Sequence, residues 1–242
     1  MIDLHCHVLP GIDDGARTLA DSMLLIDAAV QQGITHIVAT PHIHFGTFDN
    51  NKLTIANALG EIKHALSNSL SKVQISAAAE VRIGTEMLTL LPQNKLPFLG
   101  EYQGKKVLLL EMPHSHIPAG ADKLVKWLLN NDVVPMIAHP ERNRELQQHP
   151  EKINQFVKMG CLFQLTAASL LDDMGDKPKQ LAEHWLQDKL FTIVASDSHS
   201  MHRRPPKMAE ARERIAVLCG DEYAQKLTYN TPKAIAHTHF SF

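Results

Sequence analysis

Short apolar, β-branched runs alternate along the chain with longer segments in which apolar residues recur at helical spacing. The runs at 1–5, 35–40, 73–80, 106–111, 133–139, 161–166 and 191–196 are rich in Val, Ile and Leu, as strands buried on both faces of a parallel sheet are. Amphipathic segments at 19–32, 51–70, 121–131, 151–159, 177–189, 207–218 and 221–227 read as helices. Thr18 with Asp21 has the spacing of a capping box, Gly33 stands where a helix ends in positive φ, and Thr231-Pro232 can open a last short helix. Seven strand–helix units predict an α/β fold with a parallel sheet, closed as a barrel or open and doubly wound. The stretch 91–105, with Pro92, Pro97, Gly100 and Gly104, is expected to cover one end of it. No linker-like stretch or repeat interrupts the pattern, so one domain over 1–242 is expected.

Hydrophobic residues at 44% and charged residues at 21% are enough to bury a core and exclude global disorder. A formal net charge of −2 gives no electrostatic case for a nucleic-acid or membrane-surface binder. No apolar run reaches the about 18 residues of a transmembrane helix, and polar Asp3, His5 and His7 occupy the place of a signal peptide's apolar stretch. Cys6, Cys161 and Cys219 make no disulfide framework, so a reduced, cytoplasmic protein is expected. The 15 histidines are the outlier. Their positions decide between scattered surface groups and a metal site.

Nearly every predicted strand ends in a residue able to bind a metal. His5, His7 and Asp14 follow the first strand and His42 the second; Glu80, Glu111 and His139 end the third, fourth and fifth; Asp197 and His199 follow the seventh. Only the sixth, ending near Gln164 and Thr166, has no charged or imidazole group. In parallel α/β folds ligands bind at the carboxyl ends of the strands, so these positions are expected to converge. His5 and His7 are two apart and point to one side of an extended chain, leaving Cys6 to pack on the other; Asp197 and His199 repeat the spacing. Five imidazoles and four carboxylates exceed the needs of one ion and suit two or three, and a mixed N/O set without thiolate points to Mn, Fe or Zn. Three divalent ions against four carboxylates leave an excess of positive charge, which attracts a dianionic phosphate monoester. Arg142 and Arg204 follow these positions closely and match phosphate oxygens; Arg203 is read as peripheral and Glu141 as a partner that orients Arg142. His44, His114, His116 and His202 are read as loop histidines and His36, His64, His149 and His184 as solvated, while His237 and His239 receive no role.

The opening Met1-Ile2-Asp3-Leu4-His5-Cys6-His7-Val8-Leu9-Pro10-Gly11-Ile12-Asp13-Asp14-Gly15 is followed in order by Ala39-Thr40-Pro41-His42, Ala79-Glu80-Val81-Arg82, Leu110-Glu111, His139-Pro140-Glu141-Arg142, Ser196-Asp197-Ser198-His199 and Arg204-Pro205-Pro206. This series resembles the polymerase-and-histidinol-phosphatase (PHP) superfamily. It is most similar to the manganese-dependent tyrosine-protein phosphatases of bacterial capsular and exopolysaccharide synthesis. The resemblance implies a distorted seven-stranded parallel (β/α)7 barrel, TIM-like, with a trinuclear centre held by the nine residues above. Mn²⁺ is the implied ion, and Arg142 and Arg204 the implied catalytic residues. It also implies a bacterial, cytoplasmic enzyme acting on an autophosphorylated tyrosine kinase; oligomeric state is left open.

The chemistry expected is metal-assisted phosphomonoester hydrolysis, in which clustered cations lower the pKa of bound water and the arginines stabilise charge on the equatorial oxygens. No cysteine is followed six residues later by arginine, and no Gly-rich Lys-Ser/Thr loop is present, so neither a covalent cysteine mechanism nor nucleotide hydrolysis of the phosphate-loop type is supported. Rival readings are a small-molecule phosphomonoesterase such as histidinol-phosphate phosphatase, a phosphodiesterase or nuclease, and a regulatory kinase partner retaining a structural metal centre. The net charge argues against the nuclease and the complete set of nine residues against the regulator.

Overall fold

The computed structural model describes residues 1–242. Its ten strands are β1 Ile2–Asp3, β2 His36–Ala39, β3 His42–Ile43, β4 Gln74–Ala77, β5 Glu80–Arg82, β6 Gly100–Tyr102, β7 Lys105–Glu111, β8 Val133–Ala138, β9 Leu162–Thr166 and β10 Ile193–Ala195. Every pairing is parallel except that of β6 with β7. One sheet runs β1-β2-β4; the other runs β10-β9-β8-β7-β5-β3, with β6 beside β7. The result is an α/β fold with a mostly parallel sheet.

The strand predicted at 73–80 is split in two, and a short extra strand follows the one predicted at 35–40. Pro41 has no N–H for a ladder and falls between β2 and β3, and Ala78-Ala79 fall between β4 and β5. The register that follows sets His42 directly against Glu80 and Arg82 directly against Glu111. The expected covering stretch 91–105 contains β6. Gly100 opens it at φ 134°, and an added Cβ would overlap the carbonyl oxygen of Ile235, so glycine is what lets β6 meet the C-terminal helix Thr231–Ala236.

β8, β10 and most of β7 are buried on both faces, as their apolar runs predict, whereas β4 and β6 are only partly covered. Val107 and Leu109 of β7 join Ile2, Leu4, Val38, Met136 and Ile193 in a small cluster, which Ile235, Ala236 and Phe240 complete. Leu108 and Leu110 point the other way, into a larger cluster shared with the helices.

The helices Leu19–Gln31, Lys52–Ser67, Ala121–Asn130, Asp176–Gln187 and Met208–Cys219 fall where the spacing predicts them. The Thr18–Asp21 capping box forms, a device worth about 1 kcal/mol. The segment predicted at 151–159 begins as a 3-10 turn, Pro150–Ile153. The one predicted at 221–227 runs on through a π turn, Lys226–Asn230, into Thr231–Ala236. Within it the Thr228 hydroxyl donates to the Ala224 carbonyl at 2.8 Å, a back-bond that loosens the helical ladder.

The two ends of the strand series are hydrogen-bonded to each other. The His7 N–H donates to the Ser198 carbonyl at 2.8 Å and the Asp197 N–H to the His5 carbonyl at 2.7 Å. Beneath them the buried Asp3 carboxylate accepts the Ser196 hydroxyl at 2.5 Å and its N–H at 3.1 Å. No helix is long and apolar enough to cross a membrane.

Candidate metal centre

All nine residues named from the sequence come to one place, most of them at or just past the carboxyl ends of strands, whereas His42 and Glu80 open the short strands β3 and β5. They fall into four overlapping groups whose ligand atoms lie within reach of one ion: His7, Asp14, His42 and His199; His5, His7 and Glu80; His5, His139 and Asp197; and His42, Glu80 and Glu111. Glu80 is the hub. Its Oε2 lies 3.2 Å from His5 Nε2, 3.3 Å from His7 Nε2 and 3.2 Å from His42 Nδ1, and its Oε1 lies 2.9 Å from His139 Nε2. Asp197 Oδ1 stands 3.4 Å from His5 Nε2 and 3.5 Å from His7 Nε2. Asp14 Oδ1 stands 3.5 Å from His42 Nε2 and 3.4 Å from His199 Nε2. Asp14 is half exposed, whereas His5, His7, Glu80 and Asp197 are buried.

This arrangement fits metal ions better than it fits hydrogen bonds. Metal–N/O bonds of about 2.0–2.2 Å put neighbouring ligand atoms about 3.0–3.5 Å apart, which is the spacing seen here. His5 Nε2 and His7 Nε2 face each other at 3.3 Å. His42 Nδ1, Glu80 Oε2 and Glu111 Oε2 are buried without any hydrogen-bond partner, an expense that native structures avoid. A cation among them satisfies all three, and imidazole with carboxylate suits Mn, Fe or Zn.

Residues 1–237 match the family model described as capsular polysaccharide synthesis, CpsB/CapC. This chain belongs to the CpsB/CapC family. The tyrosine-protein phosphatase YwqE of Bacillus subtilis is 34% identical over 230 residues, covering 95% of this chain and 89% of that protein. The tyrosine-protein phosphatase CpsB of Streptococcus agalactiae is 29% identical over 245 residues, covering 99% and 100%. A solved structure from work on YwqE of Bacillus subtilis and CpsB of Streptococcus pneumoniae, described as unique metal-dependent tyrosine phosphatases, superposes with a TM-score of 0.90 at 33% identity, covering 100% of this chain and 96% of that one.

Several groups that aim the imidazoles in this CpsB/CapC-family site were not singled out in the sequence. The Asp13 carboxylate lies 2.7 Å from His7 Nδ1 and accepts the His42 N–H at 3.2 Å. Gln164 Oε1 lies 3.0 Å from His5 Nδ1 and accepts the His139 N–H at 3.0 Å. Such partners fix ring orientation and tautomer. Arg82 Nε lies 3.1 Å from Glu111 Oε2. The signals were available: Asp13 adjoins Asp14, Gln164 is the polar residue near the end of the one strand lacking a ligand, and Arg82 is two residues from Glu80. Gly15 packs so closely on His7 that a Cβ would overlap its carbonyl, which ties the loop bearing Asp13 and Asp14 to the first strand. His139 and Asp197 both adopt positive φ, 31° and 50°, a strain characteristic of functional sites.

Both arginines singled out from the sequence converge on Asp197 Oδ2, Arg142 Nη1 at 2.5 Å and Arg204 Nη1 at 2.8 Å. Arg204 returns to the site because the chain doubles back, its N–H donating to the Ser200 carbonyl at 3.1 Å. Arg203 is exposed, as expected. Glu141 is not the partner of Arg142. Its buried carboxylate turns away and accepts the Thr166 N–H at 3.2 Å, because Asp197 already takes the guanidinium. His36 is half-buried rather than solvated, its ring 4.7 Å from that of Phe242. His64, His149 and His184 are exposed, as expected. His239 bridges Ser76 Oγ, at 2.8 Å, and the Phe98 carbonyl, at 3.1 Å. Cys6 is buried in the larger apolar cluster, and burial pushes its thiol well up.

Crowding shapes the charges. Burial pushes Asp197 up, but Arg204, His5 and His199 together hold it well below the usual carboxylate range. Glu80 is likewise held well down against its burial, chiefly by the charge of His5 and with the His139 hydrogen bond adding to it. Burial, then the charge of Glu80, pushes Glu111 up to about 8. Burial lowers His42 and His139 to about 4, so both imidazoles are neutral and free to donate a lone pair.

Proposed function

We infer that this chain is a metal-dependent tyrosine-protein phosphatase, a phosphoric monoester hydrolase acting in capsular or exopolysaccharide synthesis. The observation that carries the reading is the convergence of five imidazoles and four carboxylates at the strand ends, with three buried ligand atoms left without partners, in a chain that matches metal-dependent tyrosine phosphatases over its whole length.

The nine residues His5, His7, Asp14, His42, Glu80, Glu111, His139, Asp197 and His199 hold two or three divalent ions, with Mn²⁺ the favoured species; the four overlapping groups support that number. When bound, such ions supply Lewis acidity toward phosphoryl oxygen and lower the pKa of water. Arg142 and Arg204 are the catalytic residues of the protein itself. Each uses one nitrogen on Asp197 and turns its remaining N–H groups to the phosphoryl oxygens, where charge spreads as the phenolate leaves. The phenolate, with a pKa of about 10, needs little protonation to depart.

The scaffold is a distorted, closed seven-stranded barrel forming one domain over 1–242. The hydrogen bonds between the segment after β1 and the segment after β10 support closure, as does the small apolar cluster that draws on both ends of the strand series. The substrate is an autophosphorylated bacterial tyrosine kinase met in the cytoplasm, in keeping with the family's role in capsule synthesis. Phosphate release from a phosphotyrosine peptide and from histidinol phosphate, each with Mn²⁺ and with chelator, tests the reading. Chelator-sensitive turnover of the peptide is expected; preference for histidinol phosphate overturns the substrate while leaving the metal site.

A further inference from the structure

Beside the metal centre lies a cavity of about 490 Å³ bordered by His114, Arg142, Arg144, Gln147, Asp176 and Lys177. Arg142 belongs to both: it bonds Asp197 and lines this cavity. Arg144 and Lys177 face the space as unpaired cations, beside an Arg142 that shares its charge with Asp197, against the one carboxylate of Asp176. Nearby acidic residues are already committed, Asp172 to Lys179 at 3.3 Å and Asp173 to Lys207 at 2.7 Å, and neither Arg144 nor Lys177 has an ion-pair partner. Burial, then the charges of Arg142, Arg144 and Arg82, lowers the imidazole of His114, which adds a neutral polar group to the wall.

The wall is held in place by the backbone. The Arg144 N–H donates to the His114 carbonyl at 2.9 Å, and the Asn143 amide donates to the carbonyls of Pro113 at 2.8 Å and His116 at 3.1 Å. Gln147 donates to the Glu141 carbonyl at 3.0 Å. Uncompensated cations on a fixed frame, next to an arginine of the phosphate site, form an anion-selective surface whose charge is available on arrival of the substrate.

We propose that this cavity is a substrate subsite for an anionic side chain flanking the phosphotyrosine, so that the preferred substrate is an acidic polypeptide segment. The proposal rests on the tyrosine-phosphatase reading above. A carboxylate and a second phosphate share the required chemistry. A neutral side chain gains nothing there, and a basic one is repelled.

The test measures kcat/KM of the full-length, Mn²⁺-loaded protein on free phosphotyrosine and on phosphotyrosine peptides whose flanking residues are neutral, glutamate-rich or a second phosphotyrosine. The anionic peptides are expected to exceed the neutral one by about three- to tenfold at low salt, a margin that narrows as salt rises. Arg144→Ala with Lys177→Ala is expected to bring that ratio close to one, and Arg144→Lys to retain most of it. Preference for both anionic peptides assigns recognition to charge, and preference for the doubly phosphorylated peptide alone assigns it to phosphate. A wild-type ratio of one, a ratio the double variant leaves intact, or a loss equal on peptide and free phosphotyrosine overturns the subsite. Turnover of histidinol phosphate with no phosphotyrosine substrate accepted overturns the underlying reading, and the subsite with it.

Discussion

In Glu111→Gln a neutral amide replaces a carboxyl that burial, and next the charge of Glu80, hold at about 8 against an ordinary 4.5. At pH 7 the unfolded chain carries this group ionised, while the metal-free fold must keep it protonated. The gap of about 2.5 pH units between 4.5 and 7 corresponds to an upper bound of about 3 kcal/mol against the fold. The amide removes that cost, so the metal-free variant is expected to be more stable than wild type, by up to about 6–12 °C in Tm. The sign follows from the raised folded value: the difference is absent below pH 4.5, grows as pH rises and levels off above about 8. Bound metal is expected to reverse the order, since in the proposed role an ionised Glu111 is a ligand and Gln would be a poorer one. Thermal unfolding of both proteins from pH 4 to 9, with chelator and with Mn²⁺, reads the crossing. A metal-free variant less stable than wild type at pH 7 refutes the argument from crowded carboxylates.

Arg142→Ala and Arg204→Ala are each expected to lower kcat on a phosphotyrosine peptide about 10²- to 10³-fold, with an unchanged far-ultraviolet circular dichroism spectrum as the control. Gln164→Leu keeps the volume but removes the acceptor from His5 Nδ1, so metal affinity measured by calorimetry should fall about 10- to 100-fold. Gly15→Ala forces a Cβ into the backbone of His7 and should cost about 1–3 kcal/mol in urea unfolding, together with metal binding. Thiol alkylation of the folded protein should leave activity intact, since Cys6 is buried and its thiol pushed well up.

What the sequence carried, and what it hid, divides along a physical line. Strand ends are marked by a change from apolar to polar, and His5, Glu80, Glu111 and His139 could be read there because a metal-binding side chain abruptly follows an apolar run. The splitting of β4 from β5 was hidden, since Ala78-Ala79 continue the apolar run, whereas the short β3 lies past Thr40 and Pro41, beyond the run that predicts β2. Gln164 and Asp13 went unassigned because their part is to orient, and an amide or a second carboxylate near a turn has no composition that announces it. Glu141 was misread for a related reason. Adjacency to Arg142 suggested a pair, yet neighbours in a tight turn diverge, and Pro140–Arg142 is such a turn.

The centre is stitched from the two extremes of the chain. His5 and His7 stand on the segment that extends β1, yet their backbone partners are Asp197 and Ser198, and Asp3 is locked to Ser196 across 193 residues. Contacts so distant in sequence form late, after the loop they close has been ordered. During synthesis the N-terminal histidines therefore leave the ribosome long before their partners exist, and a chain ending ahead of Arg204 has an incomplete site however well its first strands pair. Because Asp197 and His199 follow β10, the cluster of nine side chains cannot assemble until that late part of the chain has been made.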